Sequence, residues 1–275
     1  MLHQLALNSN TYHGYSLEEA IKGASEAGFK QIEISAVKDH TSHISPDMTK
    51  NQLEQFKQML KEHDLTCVGI SGHSNVMKKE GIDQLLKNID LTNFFDCRYI
   101  VTATGDSHDD SDVIDDINIL LENLQPVLEK CEKLNKTLVI ETHGNNFATG
   151  EAVKKLAQQC GDRLKVNYDT GNIIFYGDIE PYDDLEASLD YVEFIHLKDK
   201  RGANNEWDFP AIGDGDIDFP RLFQILKSGH YKGPISVEIE FTKEGPANLD
   251  EVNTAVKRSY RYLSNLLKDS ERSSL

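Results

Sequence analysis

Short apolar segments alternate with longer amphipathic segments along the whole chain. The apolar segments, of six to eight residues, have the length and composition of buried strands, and the segments between them are typical of helices. The strand-like segments are LHQLALN at 2–8, KQIEIS at 30–35, LTCVGIS at 65–71, CRYIVTA at 97–103, TLVIET at 137–142, LKVNYD at 164–169, YVEFIHL at 191–197 and GPISVEIE at 233–240. Helices are predicted at 16–28, 46–63, 81–95, 112–134, 150–160, 181–189, 219–228 and 249–267.

Strands that alternate with helices predict a parallel sheet. The first helix also has clear ends, because Ser16 and Glu19 have the spacing of a capping box and Gly28 can end the helix. Eight strand–helix units in 275 residues, without a change of composition that would mark a linker, predict the α/β class and a single (β/α)8 TIM barrel. One domain is expected over residues 1–275, with 268–275 as a frayed tail.

A doubly wound open sheet is the structural alternative. Such sheets carry a glycine-rich fingerprint after the first strand, and none follows LHQLALN. The segment GDGDIDF at 213–219 contains Gly-x-Gly, but no strand immediately precedes it, and a lone match of this kind is weak evidence. The closed barrel is therefore preferred.

The composition is that of an acidic globular protein. Apolar residues make up 39%, charged residues 27%, and the formal net charge is -17. An acidic surface repels phosphate backbones and anionic lipid headgroups, so no nucleic acid or membrane partner is expected. The four cysteines are far apart, which favours buried free thiols over a disulfide or zinc framework. No signal peptide and no apolar segment near the roughly 20 residues that span a bilayer are evident, so a cytoplasmic protein is expected.

Polar side chains stand where the last four predicted strands end, the end at which barrel enzymes build their active sites. They are Glu141 and His143 on the fifth strand, Asn167 and Asp169 on the sixth, His196 and Lys198 on the seventh, and Glu238 and Glu240 on the eighth. The members of each pair are two residues apart, so both point to the same face of their strand. Apolar residues between them, such as Ile140 and Leu197, then face the helices, and the polar pairs face the barrel mouth.

Three of these carboxylates would converge on one small pocket. Glu141, Asp169 and Glu238 cannot all stay ionised side by side unless shared protons or a cation compensate their charge. With the imidazole of His196 they offer ligands that suit one divalent ion such as Mn²⁺, Mg²⁺, Co²⁺ or Zn²⁺. Scattered salt bridges are the alternative, but four such residues on four consecutive strands favour a metal site.

Five segments of the chain resemble a known superfamily. They are VIETHGN, VNYDTGN, FIHLKDK, PAIGDGDIDF and GPISVEIE. With them the chain resembles the xylose-isomerase-like TIM-barrel superfamily of sugar isomerases and epimerases, which includes D-tagatose 3-epimerase and inosose dehydratase. The resemblance implies one divalent metal held by Glu141, Asp169, His196 and Glu238, with Glu240 as an acid behind the ligands or on the surface. The register of the last strand could still exchange Glu238 and Glu240.

The chain departs from particular members of the superfamily at two places. The epimerases usually carry a His three residues after the metal-binding Asp, whereas this chain has Asn172. Endonuclease IV shares the fold and binds three zinc ions through extra His and Asp ligands. Here WDFPAIGDG keeps Asp208 but has Pro210 where the nuclease pattern needs His, and VTATGD supplies no His on the fourth strand. A nuclease site with three zinc ions is therefore not expected.

Four further residues are expected to bind substrate. Glu33 faces the pocket, where substrate contact and a structural ion pair are equally favoured. His73, after the third strand, is expected at the mouth. His143 resembles a His of some dehydratases in the superfamily and can bind substrate or move a proton. Lys198 can bind a substrate carboxylate or phosphate, or neutralise Asp199 or Glu238.

The remaining candidates lie in loops. Trp207 and Phe209 follow the seventh strand and can either cover the pocket or serve as ordinary loop packing. His40, His43 and His108 lie in polar loops and are assigned to the surface.

These residues together predict a metal-dependent isomerase or epimerase of a small sugar, polyol or keto acid, acting through an enediolate intermediate. Glu141 and Glu238 are the expected catalytic residues, one removing a proton and the other returning it. A dehydratase of an inosose or related hydroxy-keto acid on the same metal site is the alternative. A non-catalytic sugar-binding barrel is the alternative of a different class. The sequence leaves open the substrate, the metal, and whether the chain forms a homodimer.

Overall fold

The computed structural model describes residues 1–105 and 117–272, with side chains up to Lys268. Its barrel strands are β1 (Leu5–Asn8), β2 (Gln31–Ser35), β3 (Thr66–Ser71), β4 (Tyr99–Thr102), β5 (Thr137–Glu141), β6 (Leu164–Asp169), β7 (Val192–Leu197) and, after β8 (Asp208–Phe209), β9 (Ile235–Val237). These eight parallel strands close in the order β1-β2-β3-β4-β5-β6-β7-β9, which confirms the predicted barrel. The short strand β8 pairs with β10 (Phe241–Thr242) in an antiparallel ribbon outside the barrel.

Helices surround the barrel. They are α1 (Leu17–Ala27), α2 (Lys50–Glu62), α3 (Lys79–Phe94), α4 (Ile117–Leu134), α5 (Gly150–Gln159), α6 (Thr170–Gly177), α7 (Pro181–Ser188), α8 (Phe219–Ser228) and α9 (Leu249–Arg272). The predicted ends of α1 are confirmed, because Ser16 and Glu19 form a capping box and Gly28 follows the helix at a φ of 110°. The predicted start of α4 at residue 112 lies outside the described residues. At the other end of the chain α9 runs past the predicted end at residue 267.

Alternation along β5 separates two apolar regions. Leu138 and Ile140 are fully buried in the large core between the sheet and the helices. Val139 points to the opposite face, into the interior of the barrel, where its partners are Tyr99, Val101 and Phe194. Glu141 is two residues further along and therefore lies on the same face as Val139, above this inner cluster. An apolar strand thus delivers a carboxylate to the barrel mouth, as the sequence predicts.

The helices α2 and α6 differ from the predicted pattern because local hydrogen bonds override it. The helix α2 begins at Lys50 rather than near residue 46, since Thr49 caps it and Gln52 completes a capping box. The helix α6 was not predicted, and it begins directly after β6 because Asp169 accepts hydrogen bonds from the first free amides. A carboxylate at this position compensates the unpaired N–H groups of the first turn.

The assignment of His43 to the surface is wrong. Its side chain is buried, with Nδ1 2.9 Å from Ser9 Oγ and Nε2 3.1 Å from the carbonyl oxygen of Tyr15. These two partners fix the neutral ring in the loop after β2, where a polar sequence gives no sign of burial. His40 is exposed, as predicted, and His108 lies outside the described residues.

The cysteines are free and buried, as predicted. Within the ranges 1–105 and 117–272, no helix combines the length and the apolar character that crossing a bilayer requires.

Candidate metal and catalytic site

The ends of β5, β6, β7 and β9 bring four ionisable side chains together. One ligand atom from each lies within 4.8 Å of the others, and all four residues are buried; they are Glu141, Asp169, His196 and Glu238. The parallel register explains this meeting. Asp169 pairs with His196, and Leu197 pairs with Val237, so these strands end at similar heights around the mouth. The structure therefore joins the four residues that were predicted as ligands.

His196 lies at the centre of this cluster. Its Nδ1 is 2.6 Å from Glu141 Oε1, 3.4 Å from Glu238 Oε2 and 3.9 Å from Asp169 Oδ2. Its Nε2 lies 3.1 and 3.0 Å from the two carboxylate oxygens of Glu33. A proton on Nε2 would be donated to Glu33, and this tautomer is the one that leaves Nδ1 free for a metal ion. The lone pair of Nδ1 is then directed at three carboxylates.

The donor set fits a divalent cation. Asp169 Oδ2 is buried and accepts no hydrogen bond within the described residues, although Lys198 Nζ lies 3.2 Å away. Glu141 Oε1 and His196 Nδ1 are 2.6 Å apart, a contact that requires either a proton between the two atoms or a cation beside them. Carboxylate oxygens and one imidazole nitrogen are ligands that Mn²⁺, Mg²⁺, Co²⁺ and Zn²⁺ accept. The cluster can therefore hold a metal ion.

Buried charge shifts the pKa values of this cluster. Burial raises the pKa of Asp169 well above its ordinary value, although Lys198 opposes the change. Burial disfavours the charged imidazole of His196, but Glu33 and Glu141 outweigh it and hold the pKa of His196 well above its ordinary value. Protons on these groups and a divalent cation are alternative ways to balance the same negative charge.

Lys198 lies next to the cluster and is almost fully buried. Its Nζ is 3.2 Å from Asp169 Oδ2, from Glu238 Oε2 and from Glu240 Oε2. Asp199, the other predicted partner, instead accepts hydrogen bonds from backbone amides of the GDGDI segment, including Gly213 and Gly215. Of the two acids on the last strand, Glu238 belongs to the ligand cluster and Glu240 lies on the far side of the lysine.

Asn10 is a site residue that sequence reasoning missed. Its Nδ2 donates to Glu238 Oε1 at 2.9 Å, and its Oδ1 accepts a hydrogen bond from the hydroxyl of Thr41 at 2.6 Å. Asn10 lies in a 3₁₀ turn after β1, Ser9–Tyr12, which Asn8 caps. The only signal in the sequence was a polar segment after the first strand, and nothing in its spacing pointed to the ligands.

A cavity of about 500 Å³ opens above the cluster. Its walls include Glu141, Glu238, Glu240 and Lys198 and the two predicted substrate residues His73 and His143. His73 bridges two elements, because its Nε2 is 2.7 Å from Glu141 Oε2 and its Nδ1 is 2.9 Å from Ser71 Oγ. The ring of His143 lies 5.0 Å from that of Tyr176, which also lines the cavity. These positions permit substrate contact by both histidines, which stays a prediction.

Asn172 stands in the wall of the cavity with a buried amide. The residue is only 2% exposed, and its Nδ2 has no hydrogen-bond partner in the described part of the chain. Its backbone N–H donates to Asp169 Oδ1 at 2.8 Å, which fixes Asn172 in the first turn of α6. A buried donor without a partner inside the protein is suited to a ligand that enters the cavity.

The structure separates the remaining candidates by burial. Glu33 is fully buried behind His196, a geometry that supports a structural role over substrate contact. Trp207 lines the cavity, whereas Phe209 is buried beneath Lys198, with its ring centroid 5.4 Å from Nζ. Of the two aromatic residues, Trp207 is therefore the one in a position to cover a ligand.

Comparisons with known proteins agree with this architecture. An inosose dehydratase of Clostridium tetani is 29% identical over 155 residues, which cover 50% of this chain and 51% of that protein. An inosose dehydratase of Clostridium perfringens is 22% identical over 245 residues, covering 83% of this chain and 77% of the relative. The chain thus spans about half the length of the first relative and about three quarters of the second.

Solved structures share the fold at low sequence identity. A D-psicose 3-epimerase, solved in the presence of D-fructose, superposes with a TM-score of 0.75 at 16% identity over 96% of this chain and 99% of that one. A 3-keto-D-glucoside 4-epimerase from E. coli gives 0.73 at 15% identity, over 95% and 99%. Residues 21–266 match the family described as xylose isomerase-like TIM barrel. With this match over most of its length, and with the closed eight-stranded barrel, the chain belongs to the xylose isomerase-like TIM barrel family.

Proposed function

We propose that this protein is a metal-dependent isomerase or epimerase of a small, uncharged sugar or polyol that carries a carbonyl group. The observation that carries the proposal is the buried meeting of Glu141, Asp169, His196 and Glu238 beneath an open cavity. The similarity to inosose dehydratases and to the epimerase structures supports the same class of substrate.

The four residues would hold one divalent ion, with Mn²⁺, Mg²⁺, Co²⁺ and Zn²⁺ as the candidates. When bound, such an ion would supply Lewis acidity toward a substrate carbonyl and an adjacent hydroxyl. Glu33 would keep the Nδ1 lone pair of His196 available to the metal ion, since a ligating histidine commonly donates its other ring N–H to a carboxylate.

Glu141 and Glu238 are proposed to move the protons. Both side chains line the cavity at the ends of different strands, β5 and β9, so they can approach a substrate carbon from different sides. His73 orients Glu141, and Asn10 orients Glu238, through hydrogen bonds of 2.7 and 2.9 Å. Removal of a proton next to the carbonyl gives a substrate enediolate, and return of a proton to the other face or the neighbouring carbon completes epimerisation or isomerisation.

The charges around the cavity favour an uncharged substrate over the keto acid. Five carboxylates of the described residues lie in the cluster or the cavity wall, and Lys198, which could have met a substrate anion, already lies against three of them. Lys38 is the other ammonium among the described residues of the wall. A phosphate or carboxylate would therefore be repelled here.

A dehydratase is the second candidate function. His143 lines the cavity on the side of Tyr176, where it can donate a proton to a departing hydroxyl. The named relatives, both inosose dehydratases, favour this variant of the chemistry. It begins with the same proton removal, so the two candidates differ in their product and not in their first step.

Metal analysis and proton exchange test the proposal together. Protein purified without chelator is expected to hold about one divalent ion per chain. The loaded protein is then incubated in D₂O with a panel of ketoses, inososes and hydroxy-keto acids. Deuterium incorporation into an uncharged member identifies the substrate class, and the product distinguishes epimerase, isomerase and dehydratase. Binding without exchange by any panel member would support the non-catalytic sugar-binding barrel instead.

The roles of the two glutamates are tested at saturating metal. Glu141→Gln and Glu238→Gln should each lower turnover about 10²–10⁴-fold, the usual contribution of a positioned acid or base. The variant that lacks only the proton-returning glutamate should still exchange deuterium, because the other glutamate still removes the proton. Glu54→Gln, on the exposed face of α2, is the control. Wild-type turnover by both fully loaded variants would exclude the two-glutamate mechanism, with His143 the next candidate base.

A further inference from the structure

Lys198 shares its carboxylate partners with the proposed metal ion. Asp169 Oδ2 and Glu238 Oε2 each lie 3.2 Å from Lys198 Nζ, and the same two oxygens face His196 Nδ1 at 3.9 and 3.4 Å. The third partner of the ammonium, Glu240 Oε2, is not part of the four-residue cluster. Two carboxylates of the cluster are therefore also in contact with a built-in positive charge.

The lysine is fixed in this place by its surroundings. Its backbone N–H donates to Thr170 Oγ1, whose hydroxyl donates in turn to the carbonyl oxygen of Lys198. The ring of Phe209 lies under the ammonium, and Gly171 packs so closely that an added Cβ would be 2.8 Å from Lys198 Cβ. The side chain is only 4% exposed, so these contacts hold the ammonium against its carboxylate partners.

Two cations bridged by shared carboxylates are the arrangement of two-metal sites, in which the ions are about 3.5–4 Å apart. Here Asp169 and Glu238 are the shared acids, and Glu240 is a further oxygen ligand on the second side. A second divalent ion bound to these oxygens would have to lie beside the ammonium, and the two cations would repel each other.

Building on the proposed metal site, we propose that Lys198 occupies the place of a second metal ion and thereby limits the site to one divalent ion. The lysine is a positioning residue in this role, since it holds Asp169, Glu238 and Glu240 at the spacing of a second cation without bringing Lewis acidity. The site then keeps one reactive ion and a fixed set of carboxylates around it. Removal of the ammonium leaves three acidic oxygens, which is a ligand set for a second hard cation.

Metal stoichiometry of Lys198→Met tests this role without any measurement of turnover. Methionine has a similar length, no charge and a thioether that binds Mn²⁺ weakly. Titration with Mn²⁺ by calorimetry should give one ion per chain for wild type and two for the variant. Electron paramagnetic resonance should show the spectrum of an isolated Mn²⁺ in wild type and of a coupled pair in the variant.

Matched variants separate charge from packing. Lys198→Arg keeps a cation and should bind one ion. Lys198→Met combined with Glu240→Gln should weaken the second ion at least tenfold, because one of its three acids is neutralised. One ion or none in folded Lys198→Met would overturn the inference, as would a second ion in wild type at millimolar Mn²⁺, a test that does not depend on whether the variant folds. A wild type that binds no ion would instead overturn the proposed function.

Discussion

The two ring nitrogens of His196 have different surroundings, and this difference decides what the residue can do. Nδ1 faces the carboxylates of the cluster, and Nε2 faces only Glu33, apart from the amide of Asn8 at 3.5 Å. A neutral imidazole can offer Nδ1 to a metal only if its proton stays on Nε2. Glu33 is therefore the residue expected to set the tautomer of His196, while lying outside the cavity wall.

Glu33→Gln is expected to weaken metal binding about 10–100-fold, the usual effect of removing the partner of a ligating histidine. The amide keeps the shape of the side chain and one acceptor oxygen but loses the charge that favours a proton on Nε2. Calorimetric titration with Mn²⁺ measures the change, with Glu54→Gln as the control. Unchanged affinity would show that the tautomer does not depend on this carboxylate.

Asn172 offers a different kind of evidence, because its buried Nδ2 has no hydrogen-bond acceptor within the described residues. Asn172→Leu removes a donor whose burial without a partner costs about 1–3 kcal/mol, so the melting temperature should stay equal or rise. If the amide donates to substrate, KM should rise roughly five- to tenfold, the equivalent of one hydrogen bond of about 1–1.5 kcal/mol.

The matched control for this substitution is Asn88→Leu. Asn88 is equally buried, but its Nδ2 donates to the carbonyl oxygens of Ala36 and Gly72. That variant should lose stability and keep its KM. If Asn172→Leu behaved in the same way, Asn172 would be a structural residue and not a substrate contact.

The four residues of the cluster were predictable because their spacing repeats on four strands, whereas Asn10 and Glu33 show why other residues near the cluster were not. A period of two along a strand tells which residues share a face, and that was sufficient for the pairs at the barrel mouth. Asn10 reaches Glu238 from a turn 228 positions away in sequence, a distance that no local pattern encodes. For Glu33 the pattern gave the correct face but could not give its depth below the mouth.

At the scale of elements, α6 links the fold to the site. Asp169 ends β6 and caps α6, so its Oδ1 accepts the N–H groups of Gly171 and Asn172 while its Oδ2 faces His196 and Lys198. The segment TGNIIFYG is apolar on most sides and has no helical period, so the sequence did not indicate a helix there. The β8–β10 ribbon escaped prediction for a related reason, since strands of two residues show no alternation.

Gly171→Ala is expected to disturb the site through this helix. An added Cβ would lie 2.8 Å from Lys198 Cβ and 3.1 Å from the ring of Phe209, distances at which the neighbours must move. Overpacking of this kind costs about 1–3 kcal/mol, and the displaced lysine should also weaken binding of Mn²⁺. Urea unfolding and metal titration measure the two effects.

The other glycine of α6 provides the comparison. At Gly177 an added Cβ would approach nothing closer than 3.2 Å, so Gly177→Ala should leave metal binding unchanged. Equal effects of the two substitutions would mean that α6 responds as a whole and that the contact with Lys198 has no special part.

At the scale of the molecule, the barrel was predictable because it repeats one strand–helix unit, and each repeat supports the same interpretation. The burial of single polar residues in the loops could not be predicted from the sequence, and His43 is the clearest case. Desolvation lowers the pKa of its imidazole below the ordinary value, with the backbone carbonyls of Tyr15 and Tyr12 and the charge of His13 as smaller influences. The folded protein therefore binds a proton at this site less readily than the unfolded chain does.

Stability should consequently depend on pH through His43. Above the unfolded pKa of about 6.5 the ring is neutral in both states, and its contribution to the free energy of unfolding is fully present. As the pH falls below this value, the unfolded chain takes up the proton first, so the contribution decreases. It is fully lost once the pH has fallen through the lower pKa of the folded state. The slope from one proton is at most about 1.4 kcal/mol per pH unit.

His43→Gln should remove this slope while keeping the hydrogen bond to Tyr15. The variant is expected to unfold at lower urea than wild type at pH 8, because the bond with Ser9 is weakened, and the difference should shrink as the pH falls to 5. Urea midpoints of both proteins are measured across this range with chelator present, so that metal binding does not contribute. His3→Gln, at an exposed position, should give a curve parallel to wild type. A constant difference between His43→Gln and wild type at every pH would show that the buried ring does not resist protonation, and the loss of stability in acid would then have to arise from other groups.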